Sequence, residues 1–280
     1  MPLFCRHNRL TANCPICSKE LDSELRAKAP TRSRAPRRSG SARRTEPRRS
    51  GVVTRRMARE ADDGYRNPLV PGIKATADAE RLGGALAWAA ARLEPPGPLP
   101  PEPDLEQATW VAFLLALTGQ ADAPSWAAGE LPDLPEDRLV TVRAYRAWAE
   151  RAGSQAAAFA GEPAWTPTRR FGRVFQRLAL PGFARAQRFE LLATLGAAGL
   201  YELEADSLHI GGEDDDTTLA AKRVLSSGET MLLERRAREL AEACGVPLAA
   251  LDRGLAAWGT LGSSEASDPD DTIRAALRLP

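Results

Sequence analysis

A Leu-Pro-Gly sequence at residues 180–182 separates two stretches in which apolar residues recur at helical spacing. The apolar positions before it are Phe171, Val174, Phe175 and Leu178, and those after it are Phe189, Leu192 and Leu195. Spacings of three and four residues place each set on one face of a helix. Proline followed by glycine ends a helix and turns the chain. The pattern therefore predicts a helix-hairpin-helix over this stretch.

Helical spacing recurs along most of the chain, and alanine, leucine and arginine outnumber β-branched residues. We expect further helices at about 75–94, 105–117, 136–152, 226–245 and 247–258, the fourth beginning in a Ser226–Glu229 capping box. Only 200–210 alternates as a short strand would, and no partner strand is evident. The fold class predicted is an all-α multi-helix bundle.

Two features indicate which side chains form the core. The stretch 108–117 (ATWVAFLLAL) is apolar nearly all round, so its helix belongs in the middle of the bundle. Trp110, Phe113 and Leu114 are therefore expected to be core residues. Cys244 falls on the apolar stripe of the 226–245 helix, which predicts a buried thiol.

Three of the four cysteines lie in the first nineteen residues, beside one of the two histidines. Cys5, His7, Cys14 and Cys17 follow the pattern C-x-H-x6-C-x2-C, which suits one tetrahedral structural zinc ion. Disulfides are the rival interpretation, but three cysteines do not pair evenly. We expect a zinc knuckle at 1–19. The knuckle could contact nucleic acid or dock onto the main domain, and the sequence favours neither role over the other.

An arginine-rich linker is predicted next, over 20–64. Residues 26–60 hold thirteen arginines and lysines against two glutamates, a net charge of +11. Low apolar content predicts disorder. Paired arginines suit the phosphate backbone of DNA, although a solvated linker is the alternative. The pairs in question are Arg37-Arg38, Arg43-Arg44 and Arg48-Arg49.

The rest of the chain differs in charge from this linker. The whole chain carries +1 and residues 1–25 balance, so residues 61–280 carry a net charge of −10. We expect a helical domain over 65–260 and a flexible acidic tail over 261–280. No run of about 18 apolar residues and no signal sequence is present, which predicts a cytoplasmic protein.

The acidic run Glu213–Asp216 follows the hairpin and precedes a predicted helix. Its carboxylates could bind magnesium, or they could be N-terminal acids of the helix, with Asp216 or Thr217 as cap. Outside the zinc pattern only His209 is available for histidine chemistry, and no glycine-rich phosphate loop is present. Carboxylate chemistry, metal binding and binding alone remain.

The hairpin sequence Leu180–Phe183 and the pair Asp216-Thr217, which opens a helix carrying Lys222-Arg223-Val224, resemble the helix-hairpin-helix DNA glycosylase superfamily. The segments 110–120, 188–196 and 220–258 resemble, within it, the alpha-glutamyl/putrescinyl thymine pyrophosphorylase group. The likeness covers about 65–260. It implies an all-α fold that binds DNA and draws one base out of the stack. The reaction implied replaces pyrophosphate on a modified thymine by an amine-bearing group.

The resemblance also implies roles for individual residues. Asp216 matches the catalytic aspartate, and Asp215 is the alternative because the gap from the hairpin is long. Leu180, Pro181 and Gly182 match a hairpin that presents backbone N–H groups to a phosphate, with Ala184 standing where a second glycine is usual. Gln120 matches a residue that fills the space left by an extruded base. The competing hypothesis is a non-catalytic, zinc-dependent nucleic-acid-binding or adaptor protein.

Overall fold

The computed structural model describes residues 60–93, 105–119, 133–211, 215–262 and 265–280. All of them belong to one compact unit, Arg56–Pro280. Within these ranges the chain forms ten α-helices and no β-strand, which confirms the all-α prediction for this part of the protein. The helices are α1 Thr76–Ala90, α2 Leu105–Thr118, α3 Glu136–Ala152, α4 Gln155–Ala160, α5 Pro167–Arg177, α6 Arg185–Ala197, α7 Asp216–Val224, α8 Thr230–Ala243, α9 Leu248–Ala257 and α10 Asp271–Leu277.

The ten helices pack in two groups around one continuous apolar core. In the first group α9 packs against α1, α7 and α8, while α10 packs against α1 and α8. In the second, α2 packs against α4 and α6, α3 packs against α4, and α5 packs against α4 and α6. Contact between α6 and α9 joins the two groups. The first described helix therefore belongs to the same group as the last four, and it packs directly against α9 and α10.

Helix α2 lies in the middle of its group, as its sequence predicts. Trp110, Phe113 and Leu114 are all buried, and Phe113 stacks on Tyr145 of α3 with ring centroids 3.7 Å apart. Cys244, which caps the C-terminus of α8, is also buried. The core assignments made from apolar spacing are confirmed at these positions.

The end of the chain is folded onto the helical unit, unlike the flexible acidic tail expected over 261–280. Ile273 and Leu277 of α10 are buried in the core. The Tyr65 hydroxyl donates to the Leu277 carbonyl, and the Asn67 side-chain amide donates to the Ala276 carbonyl at 2.8 Å. The apolar side chains of Ile273 and Leu277, which are four residues apart, bury one side of α10. Donors outside the helix satisfy two of its last carbonyl groups.

The segment 200–210 is irregular, and its alternating pattern has another origin than a strand. Leu208 and Ile210 are buried, and each donates its backbone N–H to the Glu234 carboxylate at 2.7 Å. One carboxylate thus takes the place that a neighbouring strand would have. A segment can bury every second side chain without a partner strand, provided that its buried backbone N–H groups find other acceptors.

The capping box predicted at Ser226 is wrong. Ser226 has a φ of 51°, a left-handed conformation that separates α7 from α8, and α8 begins four residues later. Glu229 occupies the N-cap without a side-chain cap, and the Ser227 hydroxyl accepts from its N–H at 3.1 Å. The predicted end of this helix at Gly245 is confirmed, because Cys244 is its C-cap and Gly245 has a φ of 64°.

Candidate functional site

The predicted hairpin lies between the end of α5 and the start of α6. Leu178 caps α5, and the Phe183 N–H donates to the Leu180 carbonyl at 3.1 Å to close the turn. Gly182 between them has a φ of 73°, a region that glycine enters without strain. Phe183 is buried and so anchors the turn in the core, while Pro181 and Gly182 stay exposed.

The inner side of the hairpin packs on α3. The Thr141 hydroxyl donates to the Pro181 carbonyl at 2.9 Å, and a Cβ added to Gly182 would lie 2.5 Å from that hydroxyl oxygen. The Ala184 N–H donates to the Gln187 side-chain carbonyl at 2.9 Å. The N–H groups of Phe183 and Ala184 are therefore used within the hairpin, and the exposed tip is formed by Pro181 and Gly182.

Arg185, the first residue of α6, connects the hairpin to α7 and α9. Its side chain is only 2% exposed and forms ion pairs with Asp215 and, at 2.9 Å, with Asp252. Its guanidinium also donates to the Leu208 carbonyl at 2.8 Å. A buried guanidinium that holds two carboxylates and a carbonyl fixes the relative positions of three chain segments.

Asp215 has a structural role in this arrangement. It is the N-cap of α7, where its carboxylate accepts the Thr218 N–H at 2.8 Å, and it also pairs with Arg185. The cap is thus Asp215, not Asp216 or Thr217 as the sequence suggested. Asp216 is the first residue of α7, and its side chain is exposed. The two candidate catalytic residues therefore differ sharply in environment.

Asp252 is a site residue that the sequence interpretation missed. Burial raises the pKa of its carboxyl to about 6, and Arg185 acts in the opposite direction. A signal was present, since Asp252 lies four residues after Leu248 and three before Leu255, on the apolar stripe of α9. A carboxylate in such a stripe needs a buried cation, but the sequence does not say which one.

His209 is placed close to this network but does not take part in it. Its ring stacks on Phe175, with centroids 4.2 Å apart, and its Nε2 atom is buried without a hydrogen-bond partner. Burial lowers the pKa of His209, Arg185 and Arg188 lower it further, and Asp206 acts in the opposite direction. The structure thus assigns His209 to the aromatic packing of α5.

Several predicted site residues lie outside the described ranges. These are the zinc ligands Cys5, His7, Cys14 and Cys17, the arginines Arg37, Arg38, Arg43, Arg44, Arg48 and Arg49, and Gln120. Glu213 and Asp214 of the acidic run also lie outside them. Among the residues that are described, no group of three or more His, Cys, Asp or Glu side chains is placed to hold a metal ion.

None of the helices in the described ranges is both long enough and apolar enough to cross a membrane. Comparisons with known proteins give no further identification, since no family model, no curated protein and no solved structure matches this chain. The site must therefore be interpreted from its own geometry.

Proposed function

We propose that this chain binds DNA and acts on one base taken out of the stack, with Asp216 as the reacting carboxylate. The observation that carries the proposal is the ion pair between Arg185 and Asp215. It joins the residue that opens α6, directly after the hairpin, to the residue that precedes Asp216. The segment expected to contact phosphate and the segment expected to carry the reaction are thereby neighbours.

The environments of the two aspartates favour Asp216 over Asp215 for the chemistry. The Asp215 carboxylate already accepts the Thr218 N–H and pairs with a buried arginine. A carboxylate held in this way is occupied by contacts within the fold, and it is not free to approach a substrate. Asp216 is exposed on the first turn of α7, so its carboxylate is accessible to a substrate.

The substrate follows from the resemblance to the thymine pyrophosphorylase group and is part of the proposal. An amine attacks the carbon of the modified thymine that carries pyrophosphate, the carbon–oxygen bond to pyrophosphate breaks, and pyrophosphate leaves. Asp216 accepts the proton that the amine nitrogen loses. Neither redox chemistry nor a covalent enzyme intermediate is needed for this displacement.

The N-terminal segments have supporting roles in the proposal. The arginine-rich linker, with its net charge of +11, offsets the −10 of residues 61–280 and attracts the phosphate backbone. One structural zinc ion, bound by Cys5, His7, Cys14 and Cys17, would provide the folding energy of the knuckle.

Replacing Asp216 by asparagine tests the reaction. We expect single-turnover conversion of a duplex bearing a pyrophosphorylated thymine derivative to fall by roughly 10²–10⁴-fold, the usual contribution of a positioned proton acceptor. Asp271 provides a matched control, because it too is the exposed first residue of a helix and follows an aspartate N-cap. Asp271→Asn should leave turnover unchanged. Equal turnover in wild type and Asp216→Asn would remove Asp216 from the mechanism.

A second candidate function is binding without catalysis. The observation that favours it is that the Phe183 and Ala184 N–H groups and the Asp215 carboxylate are all used inside the fold. In that case zinc and the arginine linker would carry the nucleic-acid contact. Metal analysis of the full chain should then give one zinc ion. Cys14→Ser should lose both the zinc ion and the affinity for DNA. Asp216→Asn should change no measurable property. A metal-free wild type would exclude this candidate.

A further inference from the structure

A second charged region lies on the exposed face of α5, the helix that precedes the hairpin. Arg169, Arg173 and Arg177 follow one another at intervals of four residues, so their side chains stand one helical turn apart. Together with Gln176, Trp165 and Glu162 they line a cavity of about 350 Å³. We call this cavity the arginine pocket.

A buried tryptophan fixes one wall of the arginine pocket. Trp165 is only 5% exposed, and the Arg177 guanidinium carbon lies 4.9 Å from its ring centroid. Gly161 packs against the ring so closely that a Cβ there would overlap it. The ring is therefore covered by Arg177 and Gly161, and it serves to hold the guanidinium in place.

The inner side of α5 anchors the same wall. Arg170 is buried and donates to the carbonyls of Ala160, Glu202 and Trp165, at 2.8, 2.9 and 3.3 Å. These bonds fix the segment between α4 and α5 against the helix that carries the three exposed arginines. The pocket is thus built on a rigid support, which lowers the entropy cost of binding.

The positive charges of the pocket are compensated only in part by the described acidic residues that line it. Neither Arg169 nor Arg173 nor Arg177 forms an ion pair with a described acidic side chain. Exposed arginines elsewhere do, as Arg143 does with Glu136 at 2.6 Å. Glu162 is the one acidic residue that lines the cavity, which leaves three guanidinium groups facing one carboxylate. Because residues 61–280 are net acidic, this local excess of positive charge gives that part of the chain a face that attracts anions.

We propose that the arginine pocket is a phosphate-binding site. Guanidinium groups match the paired oxygens of a phosphate, and the Gln176 amide adds a neutral donor. Base stacking is not part of the recognition, because both the Trp165 ring and the Phe171 and Phe175 rings of α5 are buried. The phosphate comes from a nucleic-acid backbone or from a free phosphate ester. The site extends the DNA binding proposed above, but it does not depend on Asp216 or its reaction.

The test compares the full chain with Arg169→Gln/Arg173→Gln and with a control that removes the same charge elsewhere. Arg143→Gln/Arg235→Gln is the control, because both of its arginines are exposed and each is paired with a glutamate of its own helix, α3 or α8. Two measurements are made: the shift of the unfolding temperature by inorganic phosphate against chloride at equal ionic strength, and the dependence of duplex affinity on salt. Circular dichroism establishes that all variants are folded.

If the pocket binds backbone phosphates, the slope of log affinity against log salt should become less steep by about 0.9 for each arginine removed. The control should keep the slope of the wild type. If the phosphate comes from a free ester, the shift by inorganic phosphate is lost in the pocket variant while the DNA slope stays unchanged. A pocket variant that keeps both the phosphate shift and the slope would overturn the proposal. Asp216→Asn should keep both the phosphate shift and the salt slope of the wild type. A failure of the phosphate-site proposal can therefore be distinguished from a failure of the catalytic proposal.

Discussion

The Arg185 network shows how much a single residue contributes to the site. One buried guanidinium holds Asp215 and Asp252, and its ion pair with Asp215 connects the start of α6 to the start of α7. The sequence around each member gives little sign of this, because the three residues are separated by thirty or more positions. Ion pairs of this kind depend on how the helices pack, and the spacing of apolar residues within each helix does not predict that packing.

We expect Arg185→Met to lower the free energy of unfolding by about 3–5 kcal/mol, because it leaves two carboxylates in a buried place without their cation. Arg143→Met is the control, since its pair with Glu136 is exposed on both sides and should contribute less than about 1 kcal/mol. Urea unfolding measures both. Equal losses in the two variants would contradict the structural role of Arg185.

The buried groups also give the protein opposing responses to pH. The pKa of His209 is lowered by burial, so its contribution to stability is present above about pH 6.5 and is lost as the pH falls. The pKa of Asp252 is raised to about 6, so its contribution is present at low pH and is lost as the pH rises through that value. Between about pH 5.5 and 7.5 the two contributions therefore oppose one another.

Two substitutions separate them. Asn is suited to position 209, because asparagine tolerates the φ of 53° found there. On lowering the pH from about 7.5 to 5.5, Asp252→Asn should lose unfolding free energy relative to His209→Asn. Urea unfolding at the two pH values gives the difference, and His7 cancels because both variants contain it. Identical pH dependence in the two variants would show that neither group titrates as described.

At the scale of elements, the hairpin was the part that the sequence predicted best. Leu180-Pro181-Gly182 turns the chain between two helices as expected, because proline and glycine act locally. Features that depend on distant partners were missed. The segment 200–210 pairs with Glu234 instead of with a strand, and α10 docks through contacts with residues 65–67. Local patterns therefore predicted most of the helices and the turn, but not the short helices α4 and α10, and the packing of the helices could not be derived.

We expect the turn of the hairpin to be sensitive to a side chain at Gly182. Gly182→Ala should destabilise the protein by about 1–3 kcal/mol, because it adds both left-handed strain and a contact with the Thr141 hydroxyl. Gly199→Ala is the matched control, since Gly199 has a φ of 67° with nothing within 4 Å of the added carbon. Thermal unfolding should show the larger loss at Gly182. Equal losses of stability in the two variants would mean that the contact between residue 182 and Thr141 of α3 does not contribute to the destabilisation.

For the whole molecule, charge is distributed unevenly along the chain. Residues 26–60 carry +11 and residues 61–280 carry −10, yet α5 shows a local positive face directly before the hairpin. The sequence predicted the overall asymmetry and the candidate aspartates. It did not single out the arginine pocket, because which arginines of α5 face outwards depends on the burial of Arg170.

We propose that the protein takes a base out of the DNA stack, and its affinity for duplexes tests this whichever modified base is the substrate. Extruding a base costs a few kcal/mol in a matched duplex and least where the base is mismatched. We therefore expect the full chain to bind a duplex with one mismatched thymine at least about tenfold more tightly than the matched duplex of the same length. Both duplexes present the same backbone, so charge attraction alone gives equal affinities. Equal affinity for the two duplexes would contradict the account.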